Sequence, residues 1–172
     1  MKKLLLVLIM ILSAAISQAQ FTKGTLQATG LTCAMCSNAI NKALQKVSFV
    51  ESVKSDIKNS AFNIVFKAST DVEIDALKAA VEDAGFSVGS LKLTGTFSEV
   101  KIEKDKHIKI GNENFHFLNV SEQVLNGETT ITLLDRNFVT DKVFKKYSTA
   151  TKIDCVKTGK TDTGERVYHV TI

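Results

Sequence analysis

The chain has 172 residues, 44% hydrophobic and 23% charged, with 22 Lys+Arg against 18 Asp+Glu, three Cys, no Trp and no Pro. This much apolar content with so little charge excess excludes a disordered polypeptide. The formal net charge of +4 is too small to argue for nucleic acid or an anionic membrane surface as partner, and Lys2 and Lys3 carry half of it.

Met1 to Ala19, MKKLLLVLIMILSAAISQA, joins two lysines, an apolar stretch and a small-residue end. It predicts a secretory signal peptide, cleaved after Ala19. The apolar run sits near the lower limit for crossing a bilayer, so no stable membrane anchor is expected. No Cys lies beside the cleavage point to take a lipid. The mature chain is then periplasmic or secreted, where thiols meet an oxidising medium. Three Cys is an odd count, so one must stay unpaired or do chemistry.

From Gly24 the chain alternates strand-like and helix-like patterns. Thr25 to Gly30 reads as a strand, with Leu26 and Ala28 on one face. Ile40, Ala43, Leu44 and Val47 then give the apolar stripe of an amphipathic helix. Phe49 to Ile57 and Ala61 to Lys67 read as strands around a turn at Lys58-Asn59-Ser60, with Phe62, Ile64 and Phe66 alternating in the second. Thr70-Asp71-Val72-Glu73 has the form of a capping box. The helix it would open points Ile74, Leu77, Val81 and Ala84 inward and ends at Gly85, suited to a left-handed cap. Phe86 to Leu93 closes a βαββαβ unit, the ferredoxin-like order.

Beyond Thr96 the texture is mostly strand. Phe97 to Ile102, His107 to Ile110, Phe115 to Val120 and Thr129 to Leu134 are alternating runs, broken at Gly111-Asn112 and Asn126-Gly127. A helix is expected over Val139 to Tyr147, with Thr140-Asp141 at its start. Ile153 to Val156 and Arg166 to Ile172 look like a terminal hairpin. The expected fold is α+β: a leader at 1–19, a ferredoxin-like unit at 20–94, and a small β-rich unit at 95–172, of the OB type among other β folds that fit.

Gly30-Leu31-Thr32-Cys33-Ala34-Met35-Cys36 sits where the first strand turns into the first helix. Two thiols separated by two residues can meet on one small soft ion, and thiolates select Cu(I), Zn(II) or Hg(II) over hard cations. Cys36 falls in the first helical turn, where unpaired N–H groups favour a thiolate. Met35, between the thiols, is read as a surface or packing residue.

At these residues the sequence resembles the heavy-metal-associated domain family of copper chaperones, the periplasmic mercury-binding protein and the N-terminal domains of copper-transporting P-type ATPases. The resemblance covers about residues 24–93 and rests on GLTCAMC and the element order. The family pattern G-M-T-C-x-x-C is met at Gly30, Thr32, Cys33 and Cys36, and Leu31 replaces Met with similar volume. The resemblance implies metal binding by Cys33 and Cys36. Thr32 stands where zinc-handling members often carry Asp, which leans the metal to Cu(I), with Hg(II) or Zn(II) as the other candidates. Gly85-Phe86 matches the loop that approaches the metal in the family, with an aromatic as in the ATPase domains. The implied partners are a metal-transporting membrane protein or another metal-binding domain. Transfer would proceed by ligand exchange, a partner's thiolate adding to a two-coordinate ion.

Other readings of the pair fare worse. A thioredoxin-like site needs Trp and a cis-Pro, and the chain has neither. Haem attachment needs His after the second Cys, where Ser37 stands. Four-thiolate sites need more Cys than exist. A thiol–disulfide redox or sensor protein cycling Cys33 and Cys36 is the alternative in another class, followed by an adaptor with a permanent disulfide. No Ser-His-Asp set, paired carboxylates or phosphate loop is evident, so an enzyme is not expected.

Cys155, His107, His116 and His169 all lie in the second half. In the expected hairpin, register decides whether Cys155 meets His169 or joins the core as a buried thiol, the commoner fate of free Cys. His116, between Phe115 and Phe117, is expected to face solvent. A second soft-metal site from Cys155, His169 and His116 is the minority reading. Lys142, Lys145, Lys146 and Lys152 read as the solvated side of a helix.

Overall fold

The apolar alternation of the first half builds the elements it predicts. In the computed structural model, which describes residues 20–31 and 34–172, these are β1 (Gln20–Thr29), α1 (Ala34–Gln45), β2 (Val50–Asp56), β3 (Ala61–Phe66), α2 (Ile74–Asp83) and β4 (Ser87–Ile102). The expected signal peptide, Thr32 and Cys33 lie outside the described residues. The four strands pair antiparallel in the order β2-β3-β1-β4. Ile40 and Leu44 of α1 and Ile74, Leu77 and Val81 of α2 are fully buried, as are Phe62 and Ile64 of β3. Their burial is what holds two short helices in place, since neither would persist alone in water.

The capping box does not form. The cap position of α2 is Glu73, which makes no side-chain cap bond, and the Thr70 hydroxyl donates to the Lys67 carbonyl. Val72 enters the core here, Glu73 is extended, and the helix begins only at Ile74. The other end forms as expected. Gly85 has φ +86°, its N–H donates to the Glu82 carbonyl, and the Phe86 N–H donates to the Val81 carbonyl. That pair of bonds is a Schellman cap.

β4 runs without a break through the boundary expected at 94/95 and pairs from Lys92 to Ile102 with β7 (Gln123–Leu133). With β5 (His107–Ile110), β6 (Glu113–Phe117) and β8 (Val167–Thr171) the sheet reads β2-β3-β1-β4-β7-β8-β6-β5. The second-half strands therefore extend the first sheet, and the OB-type barrel is not seen among the described residues. Asn126-Gly127 does not break a strand either. It lies inside β7, where Gly127, at φ +82°, faces Phe97 beside a bulge in β4. The glycine signal was real, but it marks a bulge rather than a turn.

α3 (Asp141–Ser148) starts after Thr140 as expected, and Lys142, Lys145, Lys146 and the following Lys152 are all exposed. The terminal hairpin is overturned. Cys155–Thr158 is a single helical turn, α4, and β8 pairs parallel with β6 and antiparallel with β7. Val167, Tyr168, His169 and Val170 are all buried. A continuous buried run belongs to an inner strand with neighbours on both sides, which a two-stranded hairpin cannot provide.

One apolar core joins both halves. Phe21 of β1 meets Phe97 of β4 and Phe115 of β6 edge-on, at centroid distances of 6.2 and 5.7 Å. A smaller cluster of Leu118, Leu134, Cys155 and Val156 lies against Phe144, Tyr147 and Ile153. No described helix is long and apolar enough to cross a membrane.

Candidate metal centre

β1 ends at Gly30, whose φ of +83° turns the chain towards α1. Leu31 packs against the core, the place expected for the family's methionine. Met35 is 82% exposed and Cys36 is half-buried in the first turn of α1. That turn carries no acidic residue to oppose a thiolate, and its N–H groups and dipole favour one. The Schellman cap of α2 sets Phe86 against the same loop: a Cβ on Gly30 would lie 3.9 Å from Phe86 Cδ1. The position of Cys33, the other thiol of the pair, lies outside the described residues.

In the second half the structure brings together the three residues of the minority reading, Cys155, His169 and His116. Cys155 Sγ lies 3.3 Å from His116 Nδ1 and 3.4 Å from His169 Nε2. His169 Nδ1 donates to Asp135 Oδ1 at 2.8 Å, and the other Asp135 oxygen accepts the His169 backbone N–H at 2.9 Å. His116 does not face solvent as expected. It is fully buried, because β6 lies inside the sheet with Phe115, His116 and Phe117 all covered. Cys155 is buried as the blander reading held, and it meets His169 without the hairpin invoked for that contact. His107, Asp105 and Asp135 were missed as members of this set. For His107, the signal that could have found it is the non-local register that sets His107 opposite His116, and His116 opposite His169.

The Cys155–His169–Asp135 chain has the connectivity of a nucleophile, base and orienting acid. Its environment opposes that use. Burial pushes the Cys155 thiol up to about 11, and a thiol held protonated is a poor nucleophile. Burial, with the charges of His169 and His107, pushes His116 down to about 4, so its imidazole is neutral at pH 7 and one ring nitrogen keeps a free lone pair.

Residues 25–87 match the family model of the heavy-metal-associated domain. This segment is a heavy-metal-associated domain. It spans β1 to the start of β4 and contains the dithiol motif and Phe86, whereas the Cys155 cluster lies beyond it. Over 70 residues, 41% of the chain, the sequence is 34% identical to copper-transporting ATPase 1 of Rhizobium meliloti, and spans only 8% of that protein's length. Among solved structures, a CopZ metallochaperone is 27% identical, covering 39% of this chain and 98% of that one, with a TM-score of 0.36. A copper-binding domain from the P-type ATPase HMA7 is 32% identical, covering 42% and 92%, also at 0.36.

Proposed function

We propose that the chain is an exported carrier of a soft metal ion, Cu(I) foremost, which binds as cargo between the thiolates of Cys33 and Cys36. The observation that carries this reading is the place of the motif. In the sequence the pair falls between β1 and α1, inside the residues that match the heavy-metal-associated domain, and Cys36 lies in the first turn of the helix. The 34% identity to a copper-transporting ATPase supports copper over the other soft ions. Phe86, packed beside Gly30, shields one side of the loop and limits water around the sulfurs. Met35 stands out into solvent, leaving the other side open to a partner. A thiolate from a metal-transporting membrane protein or another metal-binding domain adds to the ion there, and the motif sulfurs leave in turn. No step requires covalent catalysis, and the chain acts as a carrier rather than an enzyme.

Titration of the reduced protein with Cu(I) against a competing chelator tests this. The native chain is expected to hold one more tight equivalent than the Cys33→Ser/Cys36→Ser variant. Equal stoichiometry and affinity in the two would sink the carrier reading and leave the thiol–disulfide couple as the function of the pair.

A further inference from the structure

β5, β6 and β8 are neighbours in the sheet, and their register sets His107 across from His116 and His116 across from His169. Directly opposed residues share a face, so three imidazoles stand in one row, with ring centroids 5.5 Å apart at each step. The turn of α4 brings the Cys155 sulfur onto that row, within 3.4 Å of two of the rings. One ligand atom from each of His107, His116 and Cys155 lies within 4.8 Å of the others.

Buried polar atoms almost always have partners. Among the described residues, His116 Nε2 is the buried side-chain polar atom left without a hydrogen bond. The nearest charged group, Asp105 Oδ1, is 3.6 Å away, too far for a proper bond. A fold that needed only bulk here would be served by Phe or Val, as at Phe115, Phe117, Val167 and Val170 beside them. One sulfur and two imidazoles brought this close together are a donor set suited to a metal ion.

We propose that Cys155, His116 and His107 form a second metal site, for Zn(II) or copper, in the half of the chain outside the heavy-metal-associated domain. Thiolate selects soft ions and imidazole borderline ones, and Zn(II) and copper are where those preferences overlap; hard cations require oxygen donors. With Zn–S near 2.3 Å and Zn–N near 2.0 Å, adjacent ligand atoms of a tetrahedral site lie roughly 3.5 Å apart. The 3.3 Å from Cys155 Sγ to His116 Nδ1 is already close to that, which makes Nδ1 the ligand atom of this ring and leaves Nε2 on the side of Asp105. His107 and Asp105 are exposed while His116 and Cys155 are buried, so the row leads inward from solvent. His169 is the positioning residue. Asp135 holds its proton on Nδ1 and turns the Nε2 lone pair to the sulfur, the outer-shell arrangement that orients metal ligands. As the metal–sulfur bond forms, the S–H bond breaks, and His169 Nε2, 3.4 Å from the sulfur, stands in place to take the proton.

The test uses the full chain carrying Cys33→Ser and Cys36→Ser, so that its outcome is independent of the dithiol motif. Titration with Co(II) is expected to saturate at one equivalent, with sulfur-to-cobalt charge-transfer absorption and the visible bands of a four-coordinate ion, both bleached by Zn(II). A parallel Cu(I) titration against a chelator ranks copper against zinc at the site. Adding Cys155→Ser is expected to abolish the charge-transfer absorption. Adding His107→Gln, at an exposed position that leaves the fold intact by circular dichroism, is expected to weaken binding about tenfold or more. Absence of saturable binding by any of the three ions would overturn the proposal, as would binding that survives both substitutions unchanged.

Discussion

A Cβ built on Gly95 would come within 2.6 Å of the Gln20 carbonyl oxygen and 3.1 Å of the Phe21 ring, because β1 bulges against β4 where Phe21 faces Gly95. The obstacle is backbone, which cannot swing aside like the end of a side chain. Gly95→Ala is therefore expected to cost about 1–3 kcal/mol, the range for forcing volume into a filled site. Gly85 makes the opposite case. Nothing lies within 4 Å of a Cβ there, but its φ is +86°, so Gly85→Ala should cost about 1–2 kcal/mol from backbone strain alone. Urea denaturation of the two variants checks both, and a neutral Gly95→Ala would refute the packing at the bulge. Glu113 offers a pH-dependent case. Burial, and then the charge of Asp75, raise its carboxyl above the usual range. The folded state thus keeps the proton to higher pH than the unfolded one, so this residue's contribution is present in acid and lost as pH rises through the folded value. Glu113→Gln is expected to gain stability over the native chain as pH rises from 4 towards 7. Urea midpoints that keep a constant difference between those two pH values would contradict it.

At the scale of elements, what could be read from the sequence was local. β3 and α2 show their periods because each buries one face against one neighbour, so Phe62, Ile64, Leu77 and Val81 fell where the pattern put them. Gly85 could be read because a left-handed cap is a property of a few consecutive residues. The dithiol motif was legible for the same reason. β6 and β8 were not. Both are inner strands covered on two faces, so alternation carries no information about which side chains point inward. His116, flanked by phenylalanines, looks outward by that rule and is buried instead. β8 inserts between β6 and β7, parallel to one and antiparallel to the other, and no turn signal encodes a pairing between segments so far apart. The Cys155 cluster inherits this opacity: four of its members come from β5, β6, α4 and β8, and only the sheet order brings them together.

For the whole molecule, the question is whether the two halves fold as one. The heavy-metal-associated segment has a ferredoxin-like pairing complete in itself, which would permit independence. The packing argues for unity. β4 belongs to both halves, giving one edge to β1 and the other to β7. Phe115 is fully buried between Phe21 of the first half and Tyr168 of the second. Arg166 pairs with Asp75 of α2 at 3.2 Å, across the same seam. Truncating Phe115 to Ala is expected to cost about 3–5 kcal/mol, against a total of roughly 5–15 kcal/mol for a domain. If the halves were separate, only the second would feel it. If they are one unit, both lose the same stability and unfold in one transition. Both tyrosines lie in the second half, so tyrosine fluorescence follows that half, while amide protection of β3 follows the far side of the first. The two denaturation curves should coincide in the native chain and shift together in Phe115→Ala. Protection of β3 that outlasts the loss of tyrosine signal would instead make the heavy-metal-associated domain a separate folding unit, with the Cys155 cluster in a module of its own.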